Sequence, residues 1–308
     1  MSLSMQKARD WTGIRGFPNA TQNKLHELLE KLKYDKVNTL TILVMGKGGV
    51  GKSSTVNSLL GERVTYVSAF QSEGLRPMIF PRVLAGFTLN VIDTPGLVEG
   101  GYVNEQSLDT IKRFLLDKTI DVLLYVDRFD SYRVDNLDRQ IIKAITDTFG
   151  KKIWKRSVIG LTHAQLSPPD GLSYDDFLAR RSETLMKVIR SGATIKNREI
   201  QDYDIPIALI ENSGRCTTND DLEKVLPNGI CWIPNMMKTI TEVISNGSKA
   251  IYVDQKLIDG PDPNLRGKIF IPYILAFQYF FVVKYIKGSI MGDIKKEKKP
   301  LWQLRDGF

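Results

Sequence analysis

Cysteine is nearly absent: Cys216 and Cys231 are the only two in 308 residues. Two cysteines do not make a disulfide framework in a chain this long, and no CxxC or His/Cys cluster marks a zinc site, so a reducing compartment fits. The opening residues, Met1 to Thr12, lack the apolar centre of a signal peptide. They also lack the long Ser- and Arg-rich, acid-free character of a transit peptide, so any membrane address is expected elsewhere. No internal repeat is present. Hydrophobic residues at 42% and charged residues at 25% are ordinary globular proportions, which excludes a disordered chain.

Positive charge is unevenly spread. The formal net charge is +8, yet the last 25 residues, Lys284 to Phe308, hold seven Lys/Arg against three Asp/Glu. A nucleic-acid binder carries its basic stripe within the folded domain, so nucleic acid is not an expected partner. Here the basic residues sit beside an apolar run, a pattern that fits a membrane surface as well as a solvated tail.

What the chain does have is alternation. Leu25, Leu28, Leu29 and Leu32 recur at helical spacing in Thr21 to Tyr34, with Thr21 placed as N-cap. Short apolar runs at 40–45, 87–92, 122–126, 157–161 and 206–210 read as buried strands. Helical patterns separate or follow them at 53–60, 104–116, 136–149, 174–191 and 234–245. Strands alternating with helices predict an α/β fold, a mostly parallel sheet with helices on both faces. Ligands in such sheets bind outside the carboxyl ends of the strands.

At the end of the first run, Gly46-Lys47-Gly48-Gly49-Val50-Gly51-Lys52-Ser53 matches GxxxxGK[ST] at every fixed position. Its glycines let successive amide N–H groups aim at phosphate oxygens, and the following helix adds its positive dipole end. Lys52 is placed to neutralise the β- and γ-phosphates and the Ser53 hydroxyl to coordinate Mg2+, with Ser54 beside it. Asp93-Thr94-Pro95-Gly96 ends a later strand, where Asp93 can hold a magnesium-bound water and the Gly96 N–H can sense a γ-phosphate.

Guanine offers N1–H and N2–H2 as adjacent donors, so reading it takes a carboxylate. The usual [NT]KxD motif is missing; Thr162-His163-Ala164-Gln165 stands in its place. His163 is expected to stack on the base. Glu211, followed by Asn212 after the next strand, is expected to supply the acceptor pair. The position after Gly96 is Leu97 rather than the glutamine that orients water in many small GTPases, so intrinsic hydrolysis is expected to be slow. Arg133, in the charged segment 127–138, is a candidate arginine finger in trans, a dimer contact, or a solvated surface residue. The switch segment 62–76 shows no clear magnesium-binding threonine; Thr65, Ser68 and Ser72 are candidates, and Ser68 is preferred.

The segments MGKGGVGKSSTVNSLLGE, FQSEG, VIDTPGLVEGGY, LLDKTIDVLLYVDRFDSYRVDNLD, LTHAQLSPPDGL and LIENSGRC closely resemble the GTPase receptors of the chloroplast outer-envelope protein import translocon. The likeness is closest to their smaller subunits and runs from Trp11 into the tail. It implies a P-loop NTPase of the Ras-like G-domain type, binding GTP or GDP with Mg2+. It implies a receptor for transit peptides of chloroplast preproteins, which passes them to the import channel with its GTPase domain facing the cytosol. It also implies homodimers, and heterodimers with the larger receptor GTPase, across the nucleotide face, with Tyr132 and Arg133 at that interface. Septin-like and immune-associated scaffold GTPases share Leu97 and dimerisation across the nucleotide; THAQ, segment 127–138 and the tail separate this chain from them. A metabolic P-loop kinase is the third reading, but no second-substrate pocket is legible.

Ile269 to Val283 is fifteen residues without a charge, bounded by Lys268 and Lys284. A span takes about 20 apolar residues, and shorter runs are often core helices. The flanking lysines can snorkel, Tyr285 and Ile286 extend the run, Pro272 suits a first helical turn, and Gln278 can pair with a neighbouring helix. A tail anchor is expected. The expected division is an N-terminal extension at 1–20, the GTPase domain at 21–253, a linker at 254–268, an anchor at 269–286 and a basic tail at 287–308.

Overall fold

Strands buried on both faces are unbroken apolar runs, and the central sheet is built from them. The computed structural model describes residues 8–67, 76–99, 101–131, 133–169, 171–196, 199, 203–246, 249–259 and 265–297. These fall into two units, divided between Ile258 and Asp259.

In the first unit the sheet has seven strands among the described residues, in the order β1-β3-β4-β2-β8-β9-β10. They are β1 (Arg9–Asp10), β2 (Thr39–Gly46), β3 (Met78–Leu84), β4 (Phe87–Asp93), β8 (Val122–Arg128), β9 (Ser157–Thr162) and β10 (Ile207–Leu209). Only β3 and β4 pair antiparallel; every other pair is parallel. Every residue of β9, and all of β2 past Thr39, is buried. Since alternate residues point to opposite faces, helices cover both.

Those helices are α1 (Asn19–Tyr34), α2 (Lys52–Leu60), α3 (Glu105–Leu115), α4 (Asn136–Phe149), α5 (Tyr174–Gly192) and α6 (Trp232–Ser245). The stripe Leu25, Leu28, Leu29 and Leu32 is buried and α1 packs on α6, while α4 packs on α5. Each fully buried leucine is favoured by about 1.5–3 kcal/mol over an exposed one. Small hairpins β5 (Val98–Glu99) with β6 (Tyr102–Val103) and β11 (Thr217–Thr218) with β12 (Lys224–Val225) decorate the loops. The pair β7 (Thr119–Ile120) and β13 (Ile251–Tyr252) returns the chain to the domain, followed by the short α7 (Gln255–Asp259).

Several boundaries differ from expectation. Thr21 is not an N-cap: α1 starts at Asn19 after Pro18, and the buried Thr21 hydroxyl instead donates to Glu223 Oε1 at 2.7 Å. The segment expected as an extension is integral from Arg9 on. Arg9 and Asp10 pair with β3, and Trp11, 3% exposed, donates its indole N–H to Leu60 O at 2.8 Å. The expected linker holds α7, whose start is fixed by Asp254 Oδ1 accepting the Leu257 N–H at 2.9 Å.

The second unit is one helical run: α8 (Leu265–Phe277), a π-helical stretch at Gln278–Val283, and α9 (Lys284–Glu297). It therefore extends past both ends of the expected anchor. By length and composition, Phe270–Lys295 can cross a membrane.

Candidate functional site

The phosphate cradle joins the end of β2 to the start of α2. A Cβ on Gly46 would sit 2.2 Å from Val126 O, so only glycine lets β2 close on β8 here. Gly51, the N-cap of α2, holds φ 95°, a left-handed backbone that L side chains avoid. Between them lie Lys47, Gly48 and Gly49, and Val50, which is 4% exposed. Lys52 is 1% exposed, and its ammonium donates to Lys47 O at 2.5 Å. The cation is thus held inside the loop whose amides it shares. Ser54 follows on α2, half-buried.

The two magnesium candidates come together: Ser53 Oγ donates to Asp93 Oδ2 at 2.6 Å. Asp93 ends β4 and is 7% exposed. A hydroxyl beside a carboxylate suits Mg2+, which takes few protein oxygens and completes its shell with phosphate and water. Gly96 is half-buried beyond it. Leu97 donates its backbone N–H to Gly46 O at 3.2 Å and buries its side chain fully. Of the switch candidates, Thr65 is 7% exposed and is clasped by the Asn57 side chain through both its N–H (3.0 Å) and its C=O (2.9 Å). Ser68 and Ser72 lie outside the described residues.

On the base side, the Thr162 hydroxyl donates to Val50 O at 2.7 Å, fastening the THAQ loop to the cradle. His163 Nδ1 lies 3.0 Å from the same hydroxyl oxygen. His163 itself is exposed and holds φ 60°, an uncommon backbone for a residue with a side chain. Glu211 is 4% exposed; its Oε2 accepts the Gln165 N–H at 2.8 Å and its Oε1 the Ser213 N–H at 2.9 Å. A carboxylate has about four acceptor sites, so two remain after this stapling of the two base-side loops. Asn212 donates from Nδ2 to Thr55 Oγ1 on α2 at 3.0 Å, while its buried Oδ1 has no hydrogen-bond partner among the described residues.

The 127–138 segment is anchored at both ends. Asp127 pairs with Arg181 of α5 at 2.7 Å, both side chains buried. Burial pushes the Asp127 carboxyl above its ordinary range, against the pull of Arg181. Arg128 pairs with Asp130 at 2.6 Å, which holds the Asp130 carboxyl below its ordinary value. Arg133 is exposed and has no side-chain partner among the described residues; Tyr132 lies outside them. At the far end Asp135 and Asp138 form the reciprocal capping box of α4, and Asp138 Oδ1 meets the Lys47 ammonium at 2.5 Å.

The Lys47–Asp138, Thr162–Val50 and Asp127–Arg181 contacts were not foreseen from sequence. Only the capping box had a readable signal, an aspartate three residues before another at a helix start.

Comparison with known proteins agrees with this geometry. The AIG1 family model matches residues 40–201. Translocase of chloroplast 34 from Pisum sativum is 62% identical over 99% of this chain and 98% of its own length. The crystal structure of Toc33 from Arabidopsis thaliana in complex with GDP and Mg2+ is 58% identical, with a TM-score of 0.77 over 80% of this chain and 100% of that one. A further structure, reported with the finding that dimerisation is important for the GTPase activity of the chloroplast translocon components atToc33 and psToc159, is 58% identical, with a TM-score of 0.78 and the same coverage. The sequence, the cradle and these likenesses converge: the chain belongs to the AIG1 family and, within it, to the translocase-of-chloroplast GTPases.

Proposed function

We propose that this protein is a membrane-anchored GTPase of the chloroplast outer envelope that binds transit peptides of preproteins and passes them to the import channel under control of its nucleotide. It hydrolyses GTP to GDP and phosphate. The observation that carries the reading is the joining of cradle and base loop by Thr162 and Val50, in a chain 62% identical to translocase of chloroplast 34. GTP or GDP lies across that joint. The amides of Gly46 to Ser53 hold its phosphates, with Lys52 supplying the countercharge and Ser54 a further contact to the nucleotide. Mg2+, bound by Ser53 and through water by Asp93, neutralises phosphate charge when present. His163 covers the base, Glu211 accepts from its edge and Asn212 secures the loop to α2. Leu97 leaves water unoriented, which supports slow intrinsic turnover.

Tyr132 and Arg133 form the contact with a second copy, or with the larger receptor GTPase, across the nucleotide. The exposed guanidinium of Arg133, unpaired among the described residues, supports this. The 269–286 segment anchors the chain, an assignment that the membrane-length helix Phe270–Lys295 supports, and the GTPase domain faces the cytosol.

The test is capture of the full chain in detergent, loaded with GDP or a non-hydrolysable GTP analogue, on a transit peptide and on a mature-region control. Binding to the transit peptide that differs between the two nucleotides is expected. Equal binding to both peptides in either state would defeat the receptor reading in favour of a scaffold GTPase.

A further inference from the structure

Lys47 belongs to the cradle by its backbone, yet its ammonium meets Asp138 Oδ1 at 2.5 Å and lies 3.9 Å from Asp135 Oδ1. Asp138 is 1% exposed. Its other oxygen, Oδ2, accepts the Asp135 N–H at 2.9 Å, and Asp135 Oδ1 accepts the Asp138 N–H at 3.1 Å. One buried carboxylate therefore joins the phosphate loop to the cap of α4. The chain entering that cap carries Arg133. On the cradle side, the Lys47 carbonyl accepts from the Lys52 ammonium at 2.5 Å, the cation that phosphate draws to itself.

Among the described residues Lys47 is the one cation paired with Asp138, and a buried carboxylate parts from its cation at high cost, so Asp138 follows Lys47. When phosphates fix the backbone of the cradle, they fix Lys47, and the ion pair passes that order to the cap. The loop before the cap then loses freedom, and Arg133 is presented in fewer directions.

We propose that Asp138 is a positioning residue that couples occupancy of the phosphate cradle to the order of residues 133–136, the approach to the α4 cap that carries Arg133. The coupling rests on the reading of Arg133 as a partner contact, but the Lys47–Asp138 link is tested without a dimer. Asp138→Asn isolates it: asparagine keeps a carbonyl oxygen for the Asp135 N–H, so the cap survives while the charge facing Lys47 goes. Asp138→Glu restores the charge.

The experiment is amide hydrogen exchange of the full chain in detergent, at a concentration where it is monomeric, with and without GDP. In the wild type, GDP slows exchange across 129–139 by about tenfold, within the range of ordinary coupling between sites. In Asp138→Asn that slowing is lost while peptides covering 46–53 are still protected by GDP; in Asp138→Glu it returns in part. Should Asp138→Asn fail to fold, Lys47→Gln removes the other half of the pair and the slowing at 129–139 is lost again. GDP-dependent protection of 129–139 that persists in either charge-neutral variant, or that is absent from the wild type, overturns the proposal. A wild type that shows the coupling but never dimerises would instead count against the partner reading of Arg133.

Discussion

The Thr162 hydroxyl lies 2.7 Å from the Val50 carbonyl oxygen, joining residues 112 positions apart in the chain. Thr162 is fully buried and Val50 nearly so, so the bond is made away from water. Thr162→Val keeps the shape, removes the donor and leaves the Val50 carbonyl without it, at a cost of about 1–3 kcal/mol. Because the bond aligns base loop and cradle, GDP affinity measured by calorimetry falls by about tenfold. A lower melting temperature with unchanged GDP affinity would mean that the two loops bind nucleotide independently.

Glu211 has two duties that one substitution separates. Its two oxygens accept the Gln165 and Ser213 amides, and its remaining lone pairs are assigned to the guanine edge. Glu211→Gln keeps one acceptor oxygen and turns the other into a donor. The preference for GDP over ADP, measured by competition, is expected to drop by about tenfold or more, as when a buried acceptor loses its donor. A stability loss with the preference intact would leave Glu211 a staple only.

Asp127 and Arg181 predict a pH dependence. Burial raises the folded-state pKa of Asp127 while Arg181 lowers it. A carboxyl with a raised folded pKa binds more protons folded than unfolded. Its contribution is fully present below the unfolded pKa and is lost as pH rises through the folded one. Arg181→Met removes the opposing pull, so the folded value climbs further. Relative to wild type, the variant loses stability as pH rises from about 4 upward, toward a deficit of about 3–5 kcal/mol near neutrality. Urea unfolding at several pH values reads this, and a deficit that does not grow with pH would remove Asp127 as its source.

Much of the scaffold was legible because its strands are apolar on both faces and its helices carry a clear stripe. The expected helix 136–149 coincides with α4, and all five expected strands are present within a residue or two at each end. Two strands of the sheet were missed: the two-residue β1, too short to carry a pattern, and β3, whose sequence MIFPRVL carries Pro81 in its middle. Proline lacks a donor and argues against an interior strand. Here, among the described residues, β1 pairs with Arg82 and Val83 and not with Pro81, so no described strand needs the absent N–H. The cradle was readable because a phosphate loop is contiguous. The Lys47–Asp138 and Thr162–Val50 contacts were not, because the fold alone brings those residues together. Thr21 misled for a local reason: Pro18 opens the helix earlier, and the hydroxyl turns to Glu223.

The central claim is a nucleotide switch completed by a second subunit through Arg133. It is tested most directly by single-turnover GTP hydrolysis of the full chain in detergent, at concentrations spanning its dimer dissociation constant, for wild type and Arg133→Ala. The account predicts that the wild-type rate per subunit changes as dimers form, while Arg133→Ala stays monomeric at the low intrinsic rate with unchanged GDP affinity. A rate independent of concentration in both proteins, or an Arg133→Ala chain that dimerises like wild type, would contradict it.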